Sequence, residues 1–154
     1  MPPDELVRVS FTLGPDAPAD AEGIWARPTD RGTYIVDNIP FYARDVALGD
    51  EVGVDREGGR LWSRGVLAPS GAMTLRFVVL AEDEYRALRD MRWLAARLDA
   101  LGIDHEDDED RLMVASVQET HDLDALLVAV RYFRASGKGR VELGSLAPWW
   151  PADD

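Results

Sequence analysis

The sequence predicts an α+β protein in which a β-rich N-terminal half packs on a ferredoxin-like C-terminal half. Short alternating segments, separated by Gly and Pro, fill the first half, and two amphipathic helical patterns follow in the second. The predicted parts are a β-rich subdomain over 1–72, a βαββαβ subdomain over 73–147 and a tryptophan-containing tail over 148–154. A length of 154 residues allows one domain of ordinary size or two small ones.

The first half is predicted to be a small barrel or a strongly curved antiparallel sheet. The turn from Pro28 to Gly32 is typical of a hairpin, and Gly58-Gly59 separates two further strand patterns. Many short strands with closely spaced turns favour a curved or closed sheet over a flat one. The strand-type segments are 6–13, 24–27, 33–36, 51–54 and 60–67.

The second half alternates strand and helix patterns in the order of a split βαβ unit, the ferredoxin-like arrangement. Asp122 is the expected N-cap of the second helix, and Gly102 is the expected stop of the first. The short connection 68–71 predicts that the two halves pack closely rather than being tethered. The predicted elements are strand 74–80, helix 82–101, strands 103–106 and 112–117, helix 122–135 and strand 140–143.

The first helix has a predicted buried face and one aromatic residue outside it. Leu88, Met91, Ala95 and Leu98 share the apolar face. Trp93 lies about 140° from Leu88 on the helical wheel, at ~100° per residue. We therefore expect Trp93 to pack against the N-terminal half or against Trp149 and Trp150, or to lie at an oligomer or partner interface.

Composition excludes several classes of function. Lys and Arg number 17 against 29 Asp and Glu, so the formal net charge is -12 and the isoelectric point is near 4.5. This charge disfavours nucleic acid, unless a contiguous arginine patch exists, and anionic membranes. The absence of Cys excludes disulfides and thiol catalysis. With no signal peptide and no long apolar run, we expect a cytoplasmic protein without a membrane segment.

No motif of enzyme chemistry is present, so we expect no catalytic residues and no cofactor. A serine nucleophile such as Ser70 needs a base, and His105 and His121 are the only histidines; neither lies near a Gly-x-Ser-x-Gly element. The turn 136–139 contains Lys138 but lacks the context of a phosphate-binding loop. The sequence does not specify an enzyme, although it does not rule one out.

A concentrated run of acids lies between two predicted strands. Residues 104–110 hold six Asp or Glu and no Lys or Arg. The spacing lacks the glycine and terminal Glu of a calcium loop, so we expect no metal site. The run is either a solvated hairpin turn or an acidic surface for a basic protein, formed by Asp107, Asp108, Glu109 and Asp110.

One polar motif carries a resemblance to a known family. Residues 34–43 contain Asn-Ile-Pro-Phe, and residues 46–52 contain Gly-Asp-Glu-Val; with 24–26 and 70–76 they resemble DUF4265, a bacterial domain of unknown function. The resemblance spans roughly residues 5 to 146. It implies a small, stand-alone cytoplasmic protein of bacteria and supplies no activity. Ala72 occupies a position where such proteins often have histidine, which argues against a catalytic role there.

The Asn-Ile-Pro-Phe box has a structural and a functional interpretation. It forms a tight corner, or it lines a binding site between the two halves. The candidate residues of that site are Asn38, Tyr42, Arg44, Asp45 and Arg76.

The tail poses the same choice as Trp93, because Trp149 and Trp150 either fold back over a sheet or dock on a second molecule. The expected function is a non-enzymatic protein-binding module, of an immunity or regulatory type, whose acidic surface captures a basic protein partner. A homo-oligomer formed through Trp93 or the tail is a further expectation. The alternative is an enzyme or small-ligand sensor with its site between the halves.

Overall fold

The N-terminal half folds into a closed barrel of five strands. The structure, a computed structural model, describes residues 5–108 and 111–151. Neighbouring strands are antiparallel except where β1 closes the barrel by pairing in parallel with β5, through Val9 with Leu61 and Ser10 with Trp62. The strands are β1 (Val7–Thr12), β2 (Ala21–Pro28), β3 (Tyr34–Val36), β4 (Glu51–Glu57) and β5 (Arg60–Ala68).

Alternation along these strands builds the barrel core. Val9, Ile24, Val36 and Val52 point inward and are almost completely buried, because successive side chains of a strand point to opposite faces. The register of β4 and β5 shifts beside Gly53, where the strands bend. Such bulges supply the curvature that closing a small barrel requires.

The C-terminal half is a four-stranded antiparallel sheet with two helices. The strand order is β7-β8-β6-β9, and β7 and β9 form the two edges. The central strands β6 and β8 are buried along almost their whole length, which explains their nearly continuous apolar sequence. The elements are β6 (Met73–Val79), α1 (Glu84–Ala100), β7 (Asp104–Asp107), β8 (Leu112–Val117), α2 (Leu123–Ala135) and β9 (Gly139–Ser145).

Helix α1 begins at its predicted acidic end and stops at the predicted glycine. The Asp83 carboxylate caps the helix by accepting the Tyr85 N–H at 2.8 Å. Gly102 has φ +69°, and Ile103 N–H donates to the Leu98 carbonyl at 3.0 Å. This left-handed closure needs glycine because other residues are strained there.

The predicted buried face of α1 is wrong at Leu88. The face that contacts the sheet contains Ala87, Asp90, Leu94 and Leu98, whereas Leu88 is 50% exposed. The apolar pattern misplaced the face because an aspartate lies at its centre. Asp90 is 4% exposed and accepts a charge-assisted hydrogen bond from Lys138 Nζ at 3.1 Å, which makes burial of its carboxylate acceptable.

Helix α2 has the predicted cap and buries one apolar face. The Asp122 carboxylate accepts the Ala125 N–H at 3.1 Å. The residues Leu126, Leu127 and Val130 are buried, and the Phe133 ring meets Phe77 of β6 edge-on at 5.5 Å. Within the described residues no helix is long and apolar enough to cross a membrane.

The stretch between the barrel strands β3 and β4, residues 37–50, contacts both halves and is called here the inter-half segment. It contains neither helix nor strand. Backbone hydrogen bonds hold it on both sides. The Asp37 N–H donates to the Trp25 carbonyl of the barrel at 2.8 Å, and the Asp45 N–H donates to the Gly144 carbonyl of the sheet at 3.0 Å. The segment that carries the Asn-Ile-Pro-Phe box therefore contacts both halves.

Candidate functional site

The side chain of Asn38 stabilises the corner at the start of the inter-half segment. Its Oδ1 accepts the Trp25 N–H at 2.6 Å, and its Nδ2 donates to the Ile39 carbonyl at 3.2 Å. Asp50, 5% exposed, holds the other end by accepting N–H bonds from Ala47 at 2.9 Å and Ser70 at 2.8 Å. These polar side chains satisfy backbone donors and acceptors of an irregular segment.

Glu22 of β2 binds the centre of the inter-half segment, and sequence analysis did not identify it. Its carboxylate accepts three consecutive backbone N–H bonds, from Phe41 at 2.8 Å, Tyr42 at 2.9 Å and Ala43 at 2.8 Å. Hydrogen bonds to an ionised acceptor are stronger than neutral ones. The signal in the sequence is an acid two positions before Ile24, on the side of β2 that faces the barrel core, where alternation favours an apolar residue.

Arg76 reaches the same segment from the sheet. It is 5% exposed, its Nε donates to the Phe41 carbonyl, and its Nη1 lies 3.6 Å from Glu142 Oε1. Among the described residues, its Nη2 and the hydroxyls of Thr74 and Ser116 have no hydrogen-bond partner. Arg76 therefore lies beside the backbone of Phe41 and Tyr42.

The five residues predicted to line a site between the halves take different roles. Asn38 and Arg76 form hydrogen bonds with the backbone of the inter-half segment. The Tyr42 hydroxyl donates to Asp108 Oδ2 of the hairpin at 3.4 Å. Arg44 and Asp45 have exposed side chains. The structure thus places Asn38 and Arg76 on the backbone of this region and Tyr42 against the hairpin, and it leaves Arg44 and Asp45 exposed.

Two carboxylates of the acidic hairpin accept hydrogen bonds from backbone N–H groups of the chain. Glu106 Oε2 accepts the Ile39 N–H at 2.9 Å, and Asp108 Oδ1 accepts the Leu112 N–H at 3.2 Å. Asp104 and Asp107 are exposed on the edge strand β7. The predicted partner residues Glu109 and Asp110 lie outside the described residues. Part of the acid run is therefore structural, and part faces solvent.

A groove of about 420 Å³, called here the acidic groove, lies between the start of α1 and the β7–β8 hairpin. Its apolar wall contains Leu88 and Met91, and Glu84 and Asp107 contribute carboxylates. Arg111 also lines it, but its guanidinium donates to the carbonyls of Ala81 at 2.8 Å and Glu82 at 3.1 Å. The exposure of Leu88, which helical periodicity did not predict, creates this groove.

Trp93 and the tail tryptophans contact the chain itself. The Trp93 ring lies 5.1 Å from the Tyr132 ring, with the Arg97 guanidinium 5.6 Å from its centre. Trp149 Nε1 donates to the Gly71 carbonyl at 3.0 Å, and Trp150 packs against the core of the second half. Trp93 also borders a largely apolar groove of about 620 Å³ between the two helices.

The carboxylate of Glu51 accepts hydrogen bonds from two residues of the turn between β2 and β3. Glu51 Oε2 accepts the Thr33 hydroxyl at 2.7 Å, and Oε1 accepts Arg31 Nη2 at 2.9 Å. These hydrogen bonds, that of Thr33 first, lower the pKa of the Glu51 carboxyl. Among residues 5–108 and 111–151, no three His, Asp or Glu side chains are placed to hold a metal ion.

These features define a small α+β protein with a closed barrel, a helix-backed sheet and an irregular segment bound to both. The chain belongs to DUF4265, a domain of unknown function, whose family model matches residues 22–139. Its fold is similar to that of a hypothetical protein from Neisseria gonorrhoeae, with a TM-score of 0.75 at 15% identity, covering 93% of this chain and 96% of that one. No curated protein matches the sequence.

Proposed function

We propose that this chain is a non-enzymatic protein-binding module, of an immunity or regulatory type, that captures a basic protein in the cytoplasm. The observation that carries the proposal is the acidic groove. It combines the exposed Leu88 and the half-buried Met91 with carboxylates of Glu84 and Asp107, while the nearby Arg111 guanidinium is engaged by backbone carbonyls.

This combination suits a lysine or arginine side chain of a partner. Such a side chain presents an apolar stem and a cationic head, and both parts find a complement in the groove. Tyr85, 77% exposed beside Glu84, extends the surface with an aromatic ring of the kind enriched at protein interfaces. The net charge of -12 would also accelerate encounter with a basic protein.

We further propose that the second half has a ferredoxin-like arrangement. The element order βαββαβ and the sheet order β7-β8-β6-β9 support this assignment. Ferredoxin-like domains serve many functions, so the fold alone adds only an analogy to the argument for binding.

The alternative, an enzyme or sensor with a site between the halves, has less support. Asn38 and Arg76 are engaged by the backbone of the inter-half segment, and Arg44 and Asp45 face outward. A reacting group needs polar side chains that converge on a substrate position. These side chains instead stabilise the junction between barrel and sheet.

The test compares two variants of equal charge. The Glu84→Lys/Asp107→Lys variant reverses the groove, and Asp16→Lys/Asp20→Lys makes the same change of charge on an exposed barrel loop. Each tagged protein is used at low salt to retain proteins from native host cells, which are identified by mass spectrometry. The purified partner is then titrated by calorimetry.

We expect the wild type and the loop variant to retain the same basic protein and the groove variant to lose it. The loss of affinity should exceed tenfold, since charge pairs at interfaces contribute about 1.5 kcal/mol or more. If no basic protein is retained, or if both variants lose it equally, the proposal is wrong.

A further inference from the structure

The mouth of the barrel carries a second pocket, of opposite charge to the acidic groove. This pocket, called here the mouth pocket, has a volume of about 470 Å³ and lies below the turn between β4 and β5. Three arginines line it, Arg8, Arg56 and Arg60, together with the ring of Tyr34 and the buried Leu61. No Asp or Glu of the described residues belongs to its lining.

Arginines of β1, β4 and β5 line this one pocket, because β5 pairs with both of the other strands. Arg56 lies opposite Leu61 in the β4–β5 hairpin, and Arg60 lies one position closer to the turn. Closure of the barrel by β1 against β5 then places Arg8 next to them. Cations that line one pocket repel one another, and a bound anion would reduce that repulsion.

Two of these guanidinium groups are oriented by aromatic and backbone neighbours. Arg8 lies 4.7 Å from the Trp25 ring centre and donates from Nη1 to the Gly23 carbonyl at 2.7 Å. Arg60 lies 5.2 Å from the ring centre of Trp62. Stacking of this kind restricts the conformations of the arginine side chains before an anion binds. Binding therefore costs less side-chain entropy.

The cationic heads are not neutralised by carboxylates of the barrel. Within the described residues, neither Arg56 nor Arg60 forms an ion pair within 4.0 Å, although Glu57 is the strand partner of Arg60. Arg64, by comparison, lies 3.7 Å from Asp55. The mouth pocket therefore retains a local positive charge in a chain of net charge -12.

We propose that the mouth pocket binds a free nucleotide, with its phosphates on Arg56 and Arg60 and its base against Tyr34. Arginine forks match the geometry of phosphate oxygens, and aromatic rings stack on bases. The volume is that of a small-molecule site, and barrel mouths are common positions for such sites. A free nucleotide fits better than nucleic acid, because a long polyanion would be repelled by the acids over the rest of the chain.

The experiment follows amide and indole resonances of the whole chain by NMR while ATP is added. Inorganic triphosphate and a ten-nucleotide oligothymidylate are the comparison ligands. The test variant is Arg56→Ala/Arg60→Ala. The control, Arg27→Ala/Arg64→Ala, removes two exposed barrel arginines outside the mouth pocket. Thermal melting shows that each variant is folded.

We expect ATP to shift the resonances of Arg8, Arg60 and the Trp62 indole and to leave Trp149 unchanged. The dissociation constant should rise about tenfold or more in the test variant, as expected for lost charge-assisted hydrogen bonds, and stay constant in the control. Absence of binding at millimolar ATP, or equal loss in both variants, overturns the proposal. Equal affinity for triphosphate overturns the role of the base, and tighter binding of the oligonucleotide overturns the choice of a free nucleotide.

Discussion

The inter-half segment and the acidic groove use charged side chains in opposite ways. At the inter-half segment, the side chains of Glu22, Asp50 and Arg76 form hydrogen bonds with backbone groups of the segment. In the acidic groove, Glu84 and Asp107 are exposed beside apolar side chains. The first region therefore determines stability, and the second is available to a partner. Residues of the family motif belong mainly to the first region, which explains why the motif itself suggests no activity.

The largest expected effect follows from the carboxylate that binds three N–H groups. Glu22→Gln keeps the shape of the side chain but removes the charge and places an amide where only acceptors fit. We expect the free energy of unfolding to fall by about 3 kcal/mol, from weakened charge-assisted bonds and an unsatisfied donor. Urea denaturation measures the change, with the exposed Glu57→Gln as control. A loss no greater than that of the control would show that Glu22 does not fix the segment.

Replacement of Arg76 should have the next largest effect. Arg76→Met retains an apolar stem but removes the donor to the Phe41 carbonyl and the contact to Glu142. We expect a loss of about 2 kcal/mol, because the carbonyl is left without a partner while a costly buried charge is also removed. Urea denaturation again gives the value. A more stable variant would mean that the buried charge costs more than its bonds contribute.

Trp93 tests whether an aromatic side chain belongs to packing or to an interface. Trp93→Ala removes the contact with Tyr132 and part of the cover of the core. We expect a loss of about 1.5 kcal/mol, less than for a fully buried tryptophan, without a change of molar mass. Thermal melting and light scattering measure the two properties. Unchanged stability together with a smaller mass would instead assign Trp93 to an oligomer interface.

Glu51 should give the smallest effect and a dependence on pH. Its pKa is lowered in the folded state by the Thr33 hydroxyl and then by Arg31, so the folded state favours the ionised carboxylate. This contribution is present above the carboxyl pKa of the unfolded chain and is lost as the pH falls through the folded-state value. Wild type and Glu51→Gln should therefore differ more at pH 7 than at pH 3 in urea denaturation. A difference that grows toward acid pH would contradict this assignment.

The sequence predicts most of the fold because its local patterns agree with one another. Local preferences agree with the fold at several points. The barrel strands follow the alternating segments, α1 ends at Gly102, and Asp122 caps the start of α2. The buried face of α1 was misplaced because it depends on a contact between Asp90 and Lys138, which are 48 positions apart. Helical periodicity considers only apolar residues, so it does not predict a buried aspartate whose charge is paired with a lysine far along the chain.

The candidate sites were harder to predict than the fold. The acids of the hairpin were evident, but the hydrogen bond from the Ile39 N–H to the Glu106 carboxylate depends on where the inter-half segment lies. The arginines of the mouth pocket are separated by 48 residues of sequence, from Arg8 to Arg56, and only closure of the barrel brings them together. The expected site between the halves stays a prediction, although two of its polar residues, Asn38 and Arg76, bond to irregular backbone.

Lys138 is the only lysine of the chain, so it is the single side-chain amine available to acylating reagents. In the folded state its ammonium group contacts Asp90 and lies 5.7 Å from the Trp93 ring centre. An amine held in this way is largely covered by its partners, so a reagent reaches it when the contact with Asp90 opens. The rate at which an active ester labels Lys138 would therefore report how often this contact opens, without any engineered probe.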